Sequence, residues 1–221
     1  MTGWFANIVW GDIGQATLDT LVMLGASLAL TILLGVPLGV LLFLTDRGQL
    51  AQSGWINRTL GVVVNVLRSI PFVILLIVMI PLTLLIVGTS LGVAGAIPPL
   101  VVGAAPFYAR LVEQALRDVP RATIEATQAM GASRWQIVTK ALLPEALPGL
   151  VSGATVTAVA LVSFTAMAGV VGAGGLGDLA IRYGYQRFQT DVMLVTVALM
   201  VLLVQIIQLG GDWLARRVDH R

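Results

Sequence analysis

Positions 20–45, 69–109, 146–177 and 192–211 contain no Asp, Glu, Lys or Arg, and apolar residues fill them on every face. Apolar blocks of ~20 residues or more are long enough to cross a ~30 Å hydrocarbon core as helices. The first block predicts a span over about 18–44, stopped by Asp46, Arg47 and Gly48 and locally irregular around Gly35, Pro37 and Gly39. As one helix, the stretch 59–109 would be roughly 75 Å long at ~1.5 Å per residue, more than twice the core, so the chain must turn back. The turn falls at about 87–95 and divides the stretch into spans of about 59–86 and 94–112, the first interrupted by Arg68-Ser69-Ile70-Pro71. A fourth span follows Pro144 and Pro148, at about 147–170, and a fifth covers about 191–214. The pattern predicts an all-α membrane protein with five transmembrane helices, built as a single membrane domain over 1–221 with no internal repeat.

Composition agrees, with 57% apolar and 11% charged residues and a mean hydropathy of +0.94. A soluble domain has about a quarter charged residues, so that class is excluded. A net charge of +2 is too mild to suggest nucleic acid. Residues 1–19 lack Lys and Arg, and the first apolar block is too long for a removable signal core, so it is expected to remain as a span. The absence of cysteine removes disulfides and thiolate metal sites from consideration.

Basic residues fall unequally on the two faces that five spans define. One face collects Arg47, Arg58, Arg110, Arg117, Arg121, Arg134, Lys140, Arg216, Arg217 and Arg221, the other only Arg182 and Arg187. The positive-inside rule then sets the N-terminus outside and the C-terminus in the cytoplasm. Trp4, Phe5 and Trp10 suit an outer interfacial belt, and Trp213 an inner one.

Catalytic patterns are missing. The sole lysine, Lys140, has no glycine loop before it, so there is no G-x-x-x-x-G-K-[ST] phosphate cradle. The sole histidine, His220, stands next to the last residue, which leaves no triad base and no zinc helix. Gly25-Ala26-Ser27-Leu28-Ala29 half resembles a nucleophile elbow, but without a base it reads as a small-residue packing stretch.

The long inner loop, about 110–146, carries more information. Pro120 suits the first position of a helix, Gly131 a left-handed C′ position, and Ser133 with Gln136 a capping box that opens a second helix, which Pro144 is expected to end. A simple link between spans needs only a few residues. This helix–Gly–helix, with apolar Ala126, Ala129 and Met130 among mixed charges, is built to be gripped from the cytoplasm, the alternative being two amphipathic helices lying on the bilayer.

Glu125-Ala126-Thr127, three residues, Gly131, and Leu143-Pro144 twelve residues later resemble the EAA loop of the membrane subunits of bacterial ABC importers. That pattern is Glu-Ala-Ala, three residues, Gly, nine residues, Ile, one residue, Leu-Pro; here Thr127 replaces the second Ala and Ala141 the Ile. Within that family the chain is similar over nearly its whole length to the small methionine importer permeases, notably at Asn65-Val66-Leu67-Arg68-Ser69-Ile70-Pro71-Phe72, Val102-Gly103-Ala104-Ala105-Pro106-Phe107 and Gly172-Ala173-Gly174-Gly175-Leu176-Gly177. The resemblance implies a homodimeric inner-membrane permease that binds no cofactor itself. ATP and Mg would sit on a separate cytoplasmic ATP-binding subunit, and an extracytoplasmic lipoprotein would deliver D- or L-methionine. It also implies that 121–131 is the helix that docks on the ATPase, with Glu125, Ala126, Met130, Gly131, Leu143 and Pro144 as the coupling residues.

Two residues are candidates for the path itself. Arg68 is the most unusual residue inside a span, and it either faces the path or snorkels and satisfies carbonyls freed by Pro71. Met167 aligns with the position where similar permeases place a gate-forming methionine; simple packing is the alternative. The pairs Gly35/Gly39, Gly88/Gly92 and Gly149/Gly153 permit close helix approach within one chain or between two. The stretch 172–177, with Asp178, Arg182, Tyr183, Tyr185 and Arg187 after it, is not expected to stay buried, and it reads as a docking surface or a solvated connector. An ATPase-independent channel or carrier would favour intramembrane carboxylates, and the spans as drawn offer Asp19 and Asp212, near their ends, with Asp191 at the boundary of the fifth. The same architecture carrying another small solute remains open.

Overall fold

A computed structural model describes residues 8–219; Trp4, Phe5, His220 and Arg221 lie outside the described residues. The described chain is a bundle of ten α-helices: α1 (Trp10–Thr45), α2 (Gly54–Ser69), α3 (Phe72–Val78), α4 (Ile80–Val87), α5 (Gly92–Arg117), α6 (Arg121–Ala129), α7 (Arg134–Ile137), α8 (Leu143–Gly169), α9 (Gly175–Leu179) and α10 (Thr190–Val218). Four continuous helices are long and apolar enough to cross a membrane, and α2 with α3 makes a fifth span if a bend of 103° between them is counted as one broken crossing.

The centre of the bundle is the parallel pair α1 and α5. Gly35 lies against Ala105 and Tyr108, and Gly39 against the Ala109 carbonyl and Val112. Helix α8 runs antiparallel to α5 and packs on both α5 and α1, with Gly149 against Ala115 and Gly153 against Leu111. The Tyr108 hydroxyl donates to the Leu150 carbonyl at 3.2 Å and joins the two. Small residues at these crossings let backbones approach where hydrocarbon solvent offers no hydrophobic drive for association. Both helical glycine pairs are thus explained by packing within the chain. Gly88 and Gly92 act differently: with φ of +81° and +70° they make the turn between α4 and α5 that the length argument required.

Several expectations are corrected. Helix α1 begins at Trp10, eight residues before the expected 18, and passes through Pro37 unbroken. Helix α5 continues to Arg117, so its last turns occupy the start of the segment read as loop. Pro144 does not end the second loop helix: α7 passes through a π-helical turn, Val138–Leu142, into α8, making one rod over Arg134–Gly169. The Leu143 N–H reaches back five residues to the Val138 carbonyl, and this wider turn accommodates the proline that follows, which has no N–H and would crowd an α-helical carbonyl.

The stretch after Gly172 is also corrected. All five residues of α9 are buried, and the chain folds back against α1 and α8 instead of leaving the bundle. Gly172, Gly174 and Gly175 supply three positive φ values for that reversal. The Leu176 N–H donates to Thr20 Oγ1 at 2.9 Å, and buried Asp178 pairs with Arg182 one turn on. Beyond it, Tyr185 and Phe188 are exposed.

Candidate functional site

Helix α6 has no buried residue. It ends as the sequence spacing predicts: Gly131 has φ +79°, its N–H donates to the Gln128 carbonyl at 2.9 Å, and the Ala132 N–H donates to the Thr127 carbonyl at 3.3 Å. These two bonds form a Schellman closure. Ser133 and Gln136 then exchange the two bonds of a capping box, 2.8 and 3.3 Å, and start α7. Glu125 is exposed and engages Arg121 on its own helix at 3.0 Å. Ala126 is exposed, and Met130 is 79% exposed. Trp135, which the motif does not include, is 74% exposed beside it. Two large apolar side chains held out at the tip of a rigid turn are what a partner surface can grip.

The far side of the same loop is anchored. Ile137, Val138 and Leu142 are buried in a cluster with Phe43, Leu116 and Val119, against which Leu143 packs, while Pro144 is exposed. Leu143 thus packs where the loop joins α8, with Pro144 at the surface beside it, whereas Glu125, Ala126, Met130 and Gly131 lie on the exposed part of the loop before the rod.

Arg68 stands in the last turn of α2, just before the 103° break. Its guanidinium lies 5.8 Å from the centroid of Phe107. Phe107 is about 22 Å along an α5 of ~39 Å at ~1.5 Å per residue, so the charge lies beside the middle third of that helix. It lines a cavity of about 550 Å³ with Asn65, Ser69, Phe72, Phe107 and Phe164. The Ser69 hydroxyl, not Arg68, takes a carbonyl of α2, that of Asn65 at 2.8 Å. Met167 is 42% exposed and lines a different cavity, also about 550 Å³, between α8 and α10, with Met200 and Gln205. The two path candidates do not share one chamber.

The model of the family described as binding-protein-dependent transport system inner membrane component matches residues 35–221. The chain belongs to this family. It is 53% identical over 206 residues, 93% of its own length and 92% of the relative's, to a probable D-methionine transport system permease protein MetI of Vibrio cholerae. It is 47% identical to the methionine import system permease protein MetP of Bacillus subtilis, covering 99% of this chain and 98% of that one. A solved structure of the MetNI methionine ABC transporter in an inward-facing conformation superposes with a TM-score of 0.94 at 49% identity, covering 96% of this chain and 98% of that chain.

This inner membrane component also contains an ionic ladder that the sequence reading missed. The Arg117 guanidinium lies 2.8 Å from Asp46 and 2.7 Å from Glu113, and the other oxygen of Glu113 lies 2.7 Å from Arg110. Arg110 donates onward to Asn65 at 3.1 Å and to the Gly61 carbonyl at 3.3 Å. The ladder ties the α1–α2 connection, α2 and α5 together beneath the loop. Glu113, like Asp178, is a buried carboxylate that the spans as drawn left out, and both of its oxygens are taken by arginines, which fits a structural role and not that of a carrier's ion site. The signal was present: Arg110 and Arg117 are three residues before and four after Glu113, the spacing at which helical side chains meet. Asp46 is held below the ordinary carboxylate range by the Arg47 backbone N–H and by Arg117, against the opposing effect of desolvation.

Proposed function

We propose that this chain is the permease subunit of an ATP-driven methionine importer, two copies forming the path and each engaging a cytoplasmic ATP-binding subunit. The observation that carries the reading is near-complete mutual coverage, at about half identity, with permeases named for methionine, in a chain whose α6 has no buried residue and is followed by two exposed apolar side chains, Met130 and Trp135. The basic end of the bundle, with α6 and α7, faces the cytoplasm, and the N-terminus faces outward. A substrate-binding lipoprotein docks on the outer face, where Tyr185 and Phe188 are exposed after α9.

In this reading Glu125, Ala126 and Met130 seat α6 on the ATPase, Gly131 sets the angle of the seat, and Leu143 and Pro144 carry its motion into α8. Glu125 contributes little affinity, because an exposed pair is worth about 0–1 kcal/mol. Met167 narrows the path opposite its counterpart in the second copy. ATP and Mg belong to the partner.

The test is to purify the tagged chain from its native host in mild detergent beside Gly131→Trp, identify what co-purifies by mass spectrometry, and measure methionine uptake in reconstituted vesicles. The expected result is an ATP-binding subunit with the wild type, its loss with the variant, and uptake that requires ATP. Recovery of the chain alone, equally stable in both samples, overturns the reading in favour of an ATPase-independent carrier.

A further inference from the structure

The cavity at the break between α2 and α3 is lined by none of the coupling residues named above. Helix α2 ends at Ser69, and Ile70 and Pro71 are extended, with ψ of 125° and 133°. A backbone break at membrane depth is tolerated where it is buried in protein or lines a polar cavity. This one lines about 550 Å³, within the ~300–1,000 Å³ range of small-molecule sites. Arg68 is the one charged residue on its wall. Neighbouring Arg110 is engaged through both terminal nitrogens by Glu113, Asn65 and Gly61, whereas Arg68 has no carboxylate partner among the described residues and lies beside the face of Phe107.

The surrounding chemistry divides by type. Phe72 and Phe164 stack with centroids 4.3 Å apart and planes within 8°, giving a flat apolar wall. The terminal carbonyls of α2 have no helical donors and form the negative end of a helix dipole. Cation, helix C-terminus and aromatic wall therefore meet in one chamber, with a place each for a carboxylate, an ammonium group and an apolar side chain.

Resting on the function proposed above, we infer that this cavity binds the transported amino acid in transit, with Arg68 taking the carboxylate, the end of α2 the ammonium group, and Phe72, Phe107 and Phe164 the apolar side chain. Arg68 is then a specificity-determining residue of the permease itself. Selection would not rest on the delivering protein alone.

The chain has no cysteine, so a single introduced thiol reports on the cavity cleanly. In the complex with its ATPase, Ser69→Cys is labelled with a water-soluble thiol reagent and followed by intact mass of this chain, with Ala160→Cys as a second reporter on the opposite wall. L-Methionine is expected to slow labelling at least threefold and L-methioninamide, which lacks the carboxylate, to leave it unchanged. Arg68→Gln should abolish protection and Arg68→Lys should restore part of it. Equal rates with and without methionine at both reporters, or equal protection by the amide, overturn the site. Methionine uptake by the wild-type complex is measured in parallel: uptake without protection removes the site and leaves the permease standing. Protection by a different amino acid, without methionine uptake, supports the carboxylate site and overturns the methionine assignment.

Discussion

Arg117 bridges Asp46 and buried Glu113, so a residue in the connection after α1 is tied to the middle of the base of α5 through one guanidinium. The two carboxylates differ in how far water reaches them, and their removal should differ accordingly. Glu113→Gln leaves Arg110 and Arg117 facing each other without the charge that holds them, and is expected to cost about 3 kcal/mol. Asp46→Asn, at the open end, should cost under about 1 kcal/mol. Thermal unfolding of both variants in one detergent checks the ranking; equal shifts would mean that the ladder does not act through its buried member.

Acid should erase the smaller effect. The folded state lowers the Asp46 pKa, so its contribution is complete above the ordinary carboxylate value of ~3.9 and fades as pH falls through the lower folded value. The unfolding temperatures of wild type and Asp46→Asn are expected to differ at pH 7 and to converge only once the pH has fallen below the ordinary carboxylate value and through the lower folded one. A gap that widens on acidification would contradict this sign.

Gly131 has open space where a Cβ would stand, so the cost of substitution lies in the backbone alone. At φ +79°, Gly131→Ala is expected to lose about 1–2 kcal/mol of local stability, and Gly131→Asn less, since Asn tolerates this region better. Hydrogen exchange across 126–137, read with ATPase co-purification, should rank wild type, Asn, Ala in that order.

Gly39 and Gly25 lie on the same helix in opposite situations. A Cβ on Gly39 would come within 2.6 Å of the Ala109 carbonyl and Val112, while one on Gly25 meets nothing within 4 Å. Gly39→Ala should therefore destabilise by about 1–3 kcal/mol through overpacking, and Gly25→Ala should be neutral or stabilising by up to about 1 kcal/mol. Paired melting curves decide it.

Met130→Ser with Trp135→Ser should leave the fold and its melting temperature unchanged, because neither side chain packs in the bundle. Recovery of the ATP-binding subunit should fall at least tenfold. Undiminished recovery would transfer the grip to the polar face of α6.

What could be read in advance was local. Gly131, Ser133 and Gln136 announce their geometry within six residues, and the glycine turn between α4 and α5 followed from length alone. What escaped depends on partners distant in sequence. Arg110, Glu113 and Arg117 look like the edge of a loop until α2 and Asp46 are placed beside them, and only then can α5 carry three charges to its end. The burial of α9 is hidden in the sequence because its glycines signal a turn without saying what the turn folds back upon. The π turn before Pro144 relieves a clash that the one-letter pattern presents as a helix stop. Trp135 carries no motif signal, and only its exposure marks it.

The continuous helix from Arg134 to Gly169 is pinned to α5 near its middle, where Gly149 and Gly153 press against Ala115 and Leu111. At ~1.5 Å per residue the arms on either side of that fulcrum are about 22 and 24 Å. The element is a seesaw with nearly equal arms. Ile137, Val138 and Leu142 pack with Phe43 and Leu116 at one end and Gly169 abuts Asp178 at the other, so a tilt about this fulcrum would carry those neighbours with it and move the two ends by similar distances in opposite directions.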